Sequence, residues 1–312
     1  MIAAESSNPE ALPQHLLVFA HGKESGPWGT KISALARVAE ACGYTVISPD
    51  YRQTMDPDRR VEQLLALAPQ ARGALVLAGS SMGGYVSAMA TAQLEPDALF
   101  LIAPALYFPG YDREPPPPPA LTRIVHGWQD DIVPVDSAIR FARTHGCQLT
   151  LLDGGHTLNE RIPELATELR ALLEQAKVHA AYRKARYLVH APAGPVELKV
   201  GDLNAATERL LAVRCGIEMN WAIVTACNPL GEIAGDEDNA QAMAELQRRV
   251  EAEGVRWLPT AALDPEGVWP AEVGLLLCDP QPGFAEALGR EFRQNAIVRA
   301  VLGLPPELRW LR

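Results

Sequence analysis

Residues 73–94, GALVLAGSSMGGYVSAMATAQL, join an apolar run to a helical pattern through a serine framed by glycines. GALVLA (73–78) reads as a strand buried on both faces, and 83–94 as the helix that follows it. Gly79 and Gly83 stand two positions either side of Ser81. A side chain held out on a sharp strand-to-helix turn leaves no space for neighbouring β-carbons, and glycine supplies that space. Ser80 lacks the same framing, so Ser81 is the candidate nucleophile. The five-residue pattern is common by chance; the strand before it and the helix after it make it informative.

Outward from this turn the same alternation continues. Short apolar runs at 15–20, 44–48, 98–103, 121–126 and 148–152 are separated by helical patterns near 30–42, 58–68, 136–145 and 158–176. Strands alternating with helices imply repeated crossover units, hence an α/β domain with a three-layer parallel sheet. Residues 104–120, PALYFPGYDREPPPPPA, break the rhythm with five consecutive prolines and read as a stiff, extended surface connection.

A boundary falls near 177–185, dividing the chain into a first domain over 1–178 and a second over 179–312. The second mixes strands near 186–190, 196–200, 221–226, 255–259, 273–278, 296–301 and 308–311 with helices near 204–214, 237–253 and 283–292. This is the pattern of a smaller α+β domain. No internal repeat links it to the first half.

Bulk properties restrict the partners. The chain of 312 residues is 48% apolar and 21% charged, an ordinary globular balance, and no run approaches the length needed to cross a bilayer. The net charge of −10 divides into −6 before residue 179 and −4 after it, so neither half offers the positive surface that a phosphate backbone requires. Nucleic acid and membrane are not expected partners. The first 15 residues lack the basic start and apolar core of an export signal, and the five cysteines are scattered and odd in number. Both features lead us to expect a cytoplasmic protein without a disulfide framework or a zinc site.

Two further segments sit beyond the carboxyl ends of strands, where open parallel sheets carry their functional groups. HGWQDDIVPVD (126–136) offers Asp130, Asp131 and Asp136, of which Asp136 is best placed to cap the helix that follows. DGGHTL (153–158) places His156 in a glycine-containing loop after the last strand. The chain order serine, acid, histidine is that of a triad in which the histidine takes the serine proton and the acid orients the histidine. A developing oxyanion would need two N–H donors. The Met82 amide, at the start of the helix, is one; the Lys23 amide, in the FAHGKESGPWG loop after the first strand, is the other. His21 in that loop reads as a structural support.

HGKESGPWGTK, SPDYR, GSSMGGYVSA, HGWQDDIVP and DGGH together resemble the compact, lidless bacterial α/β-hydrolases of the YqiA/YcfP esterase-like group, over roughly residues 15–176. The resemblance implies an α/β-hydrolase fold. In the group's H-G-x-x-D-x-x-V-P pattern the triad acid stands four residues after the histidine, which selects Asp130. It implies hydrolysis of a carboxylic ester or thioester through an acyl-enzyme on Ser81, with no metal and no cofactor. The substrate would be a small-molecule acyl ester or thioester. An acyltransferase using the same triad, or an inactive scaffold carrying a C-terminal binding module, are the alternative functions. The chain starts at what would be the third strand of larger relatives and has no cap insertion after the 98–103 strand. Substrate contacts would then fall to aromatic residues near the loops: Trp28, Tyr107, Trp128 and, beside them, Phe108.

TACNP (225–229), EDNAQAMAEL (237–246), GVWPAEVGLLL (267–277) and FRQNAIV (292–298) resemble the DUF3293 family, which brings no activity with it. Asn228, Asn239, Glu272, Gln294 and Asn295 could line a ligand site there or simply satisfy local backbone.

Overall fold

In a computed structural model, which describes residues 12–111, 113–267 and 269–311, the chain divides into two compact units between Ala180 and Ala181. The reading of the first 15 residues as lacking an export signal falls almost wholly outside the described residues.

The first unit runs β1 (Leu16–Ala20), α1 (Thr30–Ala41), β2 (Thr45–Ile47), α2 (Pro57–Leu67), β3 (Leu75–Ser80), α3 (Met82–Leu94), β4 (Ala98–Ile102), β5 (Leu121–Gly127), α4 (Val135–His145), β6 (Gln148–Leu152) and α5 (Ile162–Lys184). All five strand pairings are parallel, in the order β2-β1-β3-β4-β5-β6. Successive side chains alternate between the faces. Leu17, Phe19, Val76, Ala78, Phe100 and Ile102 pack with α1 and α5 on one side. Leu16, Val18, Leu75, Leu77, Leu99 and Leu101 pack with α2, α3 and α4 on the other. Burial on both faces explains why these strands read as continuous apolar runs.

The helix ends differ from expectation in two places. Asp136 does not cap α4: the cap position falls two residues earlier, at Pro134, and Asp136 lies in the first turn. There its carboxylate faces the positive end of the helix dipole without bonding an end amide. The pattern near 158–176 begins as a 3-10 turn over Asn159–Arg161 and continues as α5 to Lys184, so the residues at the expected boundary are helical. The 104–120 segment is also more than a surface connection, because Ala105 and Leu106 are buried in the core.

The second unit adds β7 (Arg186–Val189), β8 (Val196–Leu198), α6 (Ala205–Cys215), β9 (Asn220–Val224), α7 (Asp236–Ala252), β10 (Trp257–Leu263), β11 (Glu272–Cys278), α8 (Phe284–Glu291), β12 (Ala296–Val301) and β13 (Glu307–Trp310). Its antiparallel sheet has the order β13-β12-β9-β11-β10-β7-β8. Trp221 and Ile223 of β9 face α6, whereas Ala222 and Val224 face α7 and α8. β10 runs to Leu263, past Pro259, where the apolar pattern ends. In a strand the nitrogen and carbonyl of one residue share an edge. The Pro259 carbonyl accepts from the His190 N–H just beyond β7, so the missing donor falls where the neighbouring strand ends.

No helix among the described residues is long and apolar enough to cross a membrane.

Candidate active site

The site begins with the turn between β3 and α3. A β-carbon on Gly79 would lie 2.1 Å from the Gly83 carbonyl oxygen, and one on Gly83 would lie 1.9 Å from that of Ala20. No side chain fits at either position. Ser81 between them has φ 56° and ψ −120°, a strained conformation for a residue with a β-carbon. Its backbone is held there from both ends. The N–H donates to the Ile102 carbonyl at 2.9 Å, and the carbonyl accepts from the Gly84 and Ala105 amides at 2.9 and 3.0 Å.

The strain aims the hydroxyl at His156. Ser81 Oγ lies 2.9 Å from His156 Nε2, and His156 Nδ1 lies 2.7 Å from Asp130 Oδ2. Since a carboxylate only accepts, Nδ1 carries the proton and Nε2 is free to accept the serine hydroxyl. The Asp130 side chain is fully buried. Its Oδ1 accepts from the Ile132 and Val133 amides at 3.0 and 2.8 Å, which fixes the carboxylate within its own turn. Asp131 is exposed on the same turn, and Asp136 is exposed on α4.

A second histidine supports this carboxylate. His126 Nε2 lies 3.1 Å from Asp130 Oδ2 and 3.0 Å from the Val133 carbonyl, with its ring fully buried. Burial lowers its pKa, so it serves as a neutral donor. Its position on β5, one strand from the histidine loop, is the signal that four-residue spacing alone does not carry. On the other side of that loop, Lys31 Nζ donates to the Thr157 carbonyl at 2.6 Å. Burial pushes this ammonium down to about 8, against the pull of the Asp130 and Glu160 charges.

The loop after β1 passes directly over Ser81: a β-carbon on Gly22 would lie 3.7 Å from Ser81 Cβ. His21 is a support, as its pattern suggests. Its Nε2 accepts from the Tyr51 amide at 2.9 Å, and its Nδ1–H donates to the Gly22 carbonyl at 2.8 Å. Among the described residues, neither the Lys23 nor the Met82 amide donates to a protein acceptor.

The aromatic candidates separate. Trp28, in the loop after β1, is 52% exposed, and Trp128, just past β5, is 58% exposed. Tyr107 instead packs on the core with the Arg140 guanidinium 3.7 Å from its ring centre, and the Phe108 ring meets that of Tyr111 at a tilt of 59°. No group of three or more His, Cys, Asp or Glu among the described residues is placed to hold a metal ion.

In the second unit, Asn228, Asn239 and Glu272 come together. Asn228 Nδ2 donates to Glu272 Oε1 at 2.6 Å, and its Oδ1 accepts from Asn239 Nδ2 and the Ala234 amide. Asn239 Oδ1 accepts the Asn228 amide, and Trp269 Nε1–H donates to Glu272. Gln294 stays apart and donates to the Cys227 and Phe292 carbonyls, while the Asn295 carbonyl accepts from Leu311.

Comparison with known proteins bears on both units. A protein from Xanthomonas campestris pv. campestris, placed in the alpha/beta hydrolase superfamily, is 34% identical over 51% of this chain and 98% of its own, with a TM-score of 0.48. The first unit belongs to that superfamily. Two other solved structures are similar to this hydrolase unit. An α/β serine hydrolase without a lid from Xanthomonas campestris is 24% identical over 53% of this chain and 83% of its own, with a TM-score of 0.46. An α/β serine hydrolase homologue from Coxiella burnetii is 20% identical over 51% and 85%, with a TM-score of 0.44. Residues 224–297 match the family described as a protein of unknown function, DUF3293. No curated protein matches the chain. The chain is therefore a hydrolase unit followed by a DUF3293 domain.

Proposed function

We propose that the hydrolase unit is a serine esterase or thioesterase, with Ser81 as nucleophile, His156 as general base and Asp130 as the residue that orients it. The observation that carries this reading is the unbroken chain of hydrogen bonds from Ser81 Oγ through both nitrogens of His156 to a buried carboxylate. A serine hydroxyl is too weak an acid to attack a carbonyl at neutral pH unless a base takes its proton as the bond forms. His156 Nε2 stands where that base is required. The Asp130 charge stabilises the imidazolium produced.

In the reaction Ser81 Oγ adds to the acyl carbon, and the Lys23 and Met82 amides receive the negative oxygen of the tetrahedral intermediate. Collapse expels the alcohol or thiol, protonated by His156. Water, deprotonated by the same nitrogen, then releases the acid and restores the serine. The chemistry uses no metal or cofactor. Trp28 and Trp128 would flank a small acyl ester or thioester; the Tyr107 ring face is already taken by Arg140. The five cysteines are all unpaired, which suits the reducing cytoplasm in which we place the enzyme.

A fluorophosphonate probe tests the nucleophile, and p-nitrophenyl esters of graded chain length test the substrate. The full chain should be labelled and should turn over one range of chain lengths. Ser81→Ala should abolish labelling and lower kcat by roughly a million-fold, leaving only the residual rate of a triad without its nucleophile. Failure of the native protein to label, with a control hydrolase labelled alongside, would remove the reading.

A further inference from the structure

Arg60 is the most conspicuous polar group that the reaction above does not use. It lies on α2, yet its side chain is fully buried. Among the described residues no carboxylate lies within ion-pair distance of it. Its donors go to main-chain carbonyls: Nε to Thr54 at 2.9 Å, Nη1 to His21 at 3.4 Å and Gly22 at 3.1 Å, and Nη2 to Lys23 at 3.1 Å. Nη2 also approaches Met55 Sδ at 3.8 Å. Three of the four carbonyls belong to consecutive residues of the loop over Ser81. A buried cation with no carboxylate in contact is costly, so its retention calls for a role that a packed apolar side chain could not fill.

The geometry of the peptide unit defines that role. Among the described residues the peptides are trans, so the C=O of one residue and the N–H of the next point in opposite directions. The Gly22 carbonyl accepts from Arg60 Nη1–H at 3.1 Å and His21 Nδ1–H at 2.8 Å, with the exposed Ser25 hydroxyl a more distant third donor at 3.4 Å. Fixing that oxygen fixes the Lys23 N–H on the opposite side of the same plane. A positive charge bonded to the oxygen also polarises the peptide and strengthens the hydrogen bond its N–H can donate. Arginine suits the task because its planar fork reaches several acceptors at once and keeps its charge when buried.

We infer that Arg60 is the positioning residue of the oxyanion site, holding the carbonyls of residues 21–23 so that the Lys23 N–H is presented to the oxygen that becomes charged when Ser81 attacks. The inference rests on the esterase reading. It makes the contribution of Arg60 specific to the transition state: the neutral ester should bind without it, whereas the tetrahedral anion should not bind well.

The test uses the full chain with p-nitrophenyl acetate and with phenylboronic acid, which forms a tetrahedral anion on the serine oxygen. Fluorophosphonate labelling at Ser81 is read first. If the wild type does not label, the esterase reading fails; if it does, the Arg60 variants decide this inference alone. Arg60→Met should lower kcat by about 100-fold, the scale of losing one oxyanion donor, with KM within roughly three-fold. The boronic acid should weaken in parallel with kcat/KM. Arg60→Lys keeps the charge but not the fork and should fall between, near ten-fold. A folded Arg60→Met or Arg60→Lys protein with wild-type kcat and boronic acid affinity would overturn the inference. So would an equal rise in KM at unchanged kcat. Loss of cooperative melting in both variants would assign Arg60 to folding and overturn the inference as well.

Discussion

Both units gather buried polar side chains beside the carboxyl end of a central strand, but the two clusters differ in what they leave unsatisfied. At Asn228 the recorded bonds turn back into the cluster: side-chain amide to carboxylate, side-chain carbonyl to two N–H groups, main-chain amide to the Asn239 side chain. In the hydrolase unit the Asp130 carboxylate is similarly saturated, but the chain it anchors ends at Ser81 Oγ, with the Lys23 and Met82 amides left without a protein acceptor among the described residues. A polar cluster closed on itself is architecture. One that terminates in spare valence beside a strained turn is equipped for chemistry.

After loss of the serine itself, the largest effect expected of a single change to this arrangement is at Asp130. Asp130→Asn keeps the shape but places an NH2 group against His156 or His126, where both rings need an acceptor. The wrong His156 tautomer is then stabilised, and kcat for p-nitrophenyl acetate should drop by roughly a thousand- to ten-thousand-fold while the melting temperature moves little. A loss under ten-fold would mean that saturation at Asp130 is structural, like that at Asn228.

Asn228→Ala tests the closed cluster. It removes three side-chain hydrogen bonds and leaves alanine at φ 49°. The cost should be about 3 kcal/mol in urea unfolding of the DUF3293 domain, from unpaired buried groups and an alanine held in a left-handed conformation together. Ester hydrolysis should be unaffected. A hydrolytic defect at unchanged stability would break the contrast by showing that the cluster serves the reaction.

The smallest effect concerns Lys31, which ties α1 to the loop carrying His156. With its ammonium lowered to about 8, the wild-type rate should fall a few-fold as pH rises through that value and the Thr157 contact loses its charge. Lys31→Met should show the lower rate throughout and lack this limb. The stability trend runs the other way. Between about 8 and 10.5 the unfolded chain binds more protons at Lys31 than the folded chain does, so this residue's penalty fades as pH rises, and Lys31→Met should flatten that slope in thermal melts.

Much of this site is legible from residues alone, for reasons that can be named. Ser81 stands out because glycine at two positions is a steric requirement that leaves its mark in sequence. His156 stands out because it follows the last strand. The acid is not legible by spacing, since Asp130, Asp131 and Asp136 all lie beyond β5. Only folding the turn, with the Ile132 and Val133 amides on one carboxylate, sends Asp130 inward and Asp131 out to solvent. The resemblance to known hydrolases selects the same residue. Arg60 stands beside Arg59 in DPDRRVEQL and looks like any charged helix face. About 100° of helical rotation separates the two, and it buries one while leaving the other in water. The strands of the DUF3293 domain are legible from their apolar runs, except where Pro259 imitates an ending.

The close packing of Gly83 on the Ala20 carbonyl ties the Ser81 turn to the start of the Lys23 loop. With no side chain between them to compress or rotate, the two cannot drift apart without breaking the packing of β1 on α3. On the proposed esterase reading, differences between substrates would then fall to the exposed indoles, Trp28 and Trp128, around a turn that has no side chain to give way.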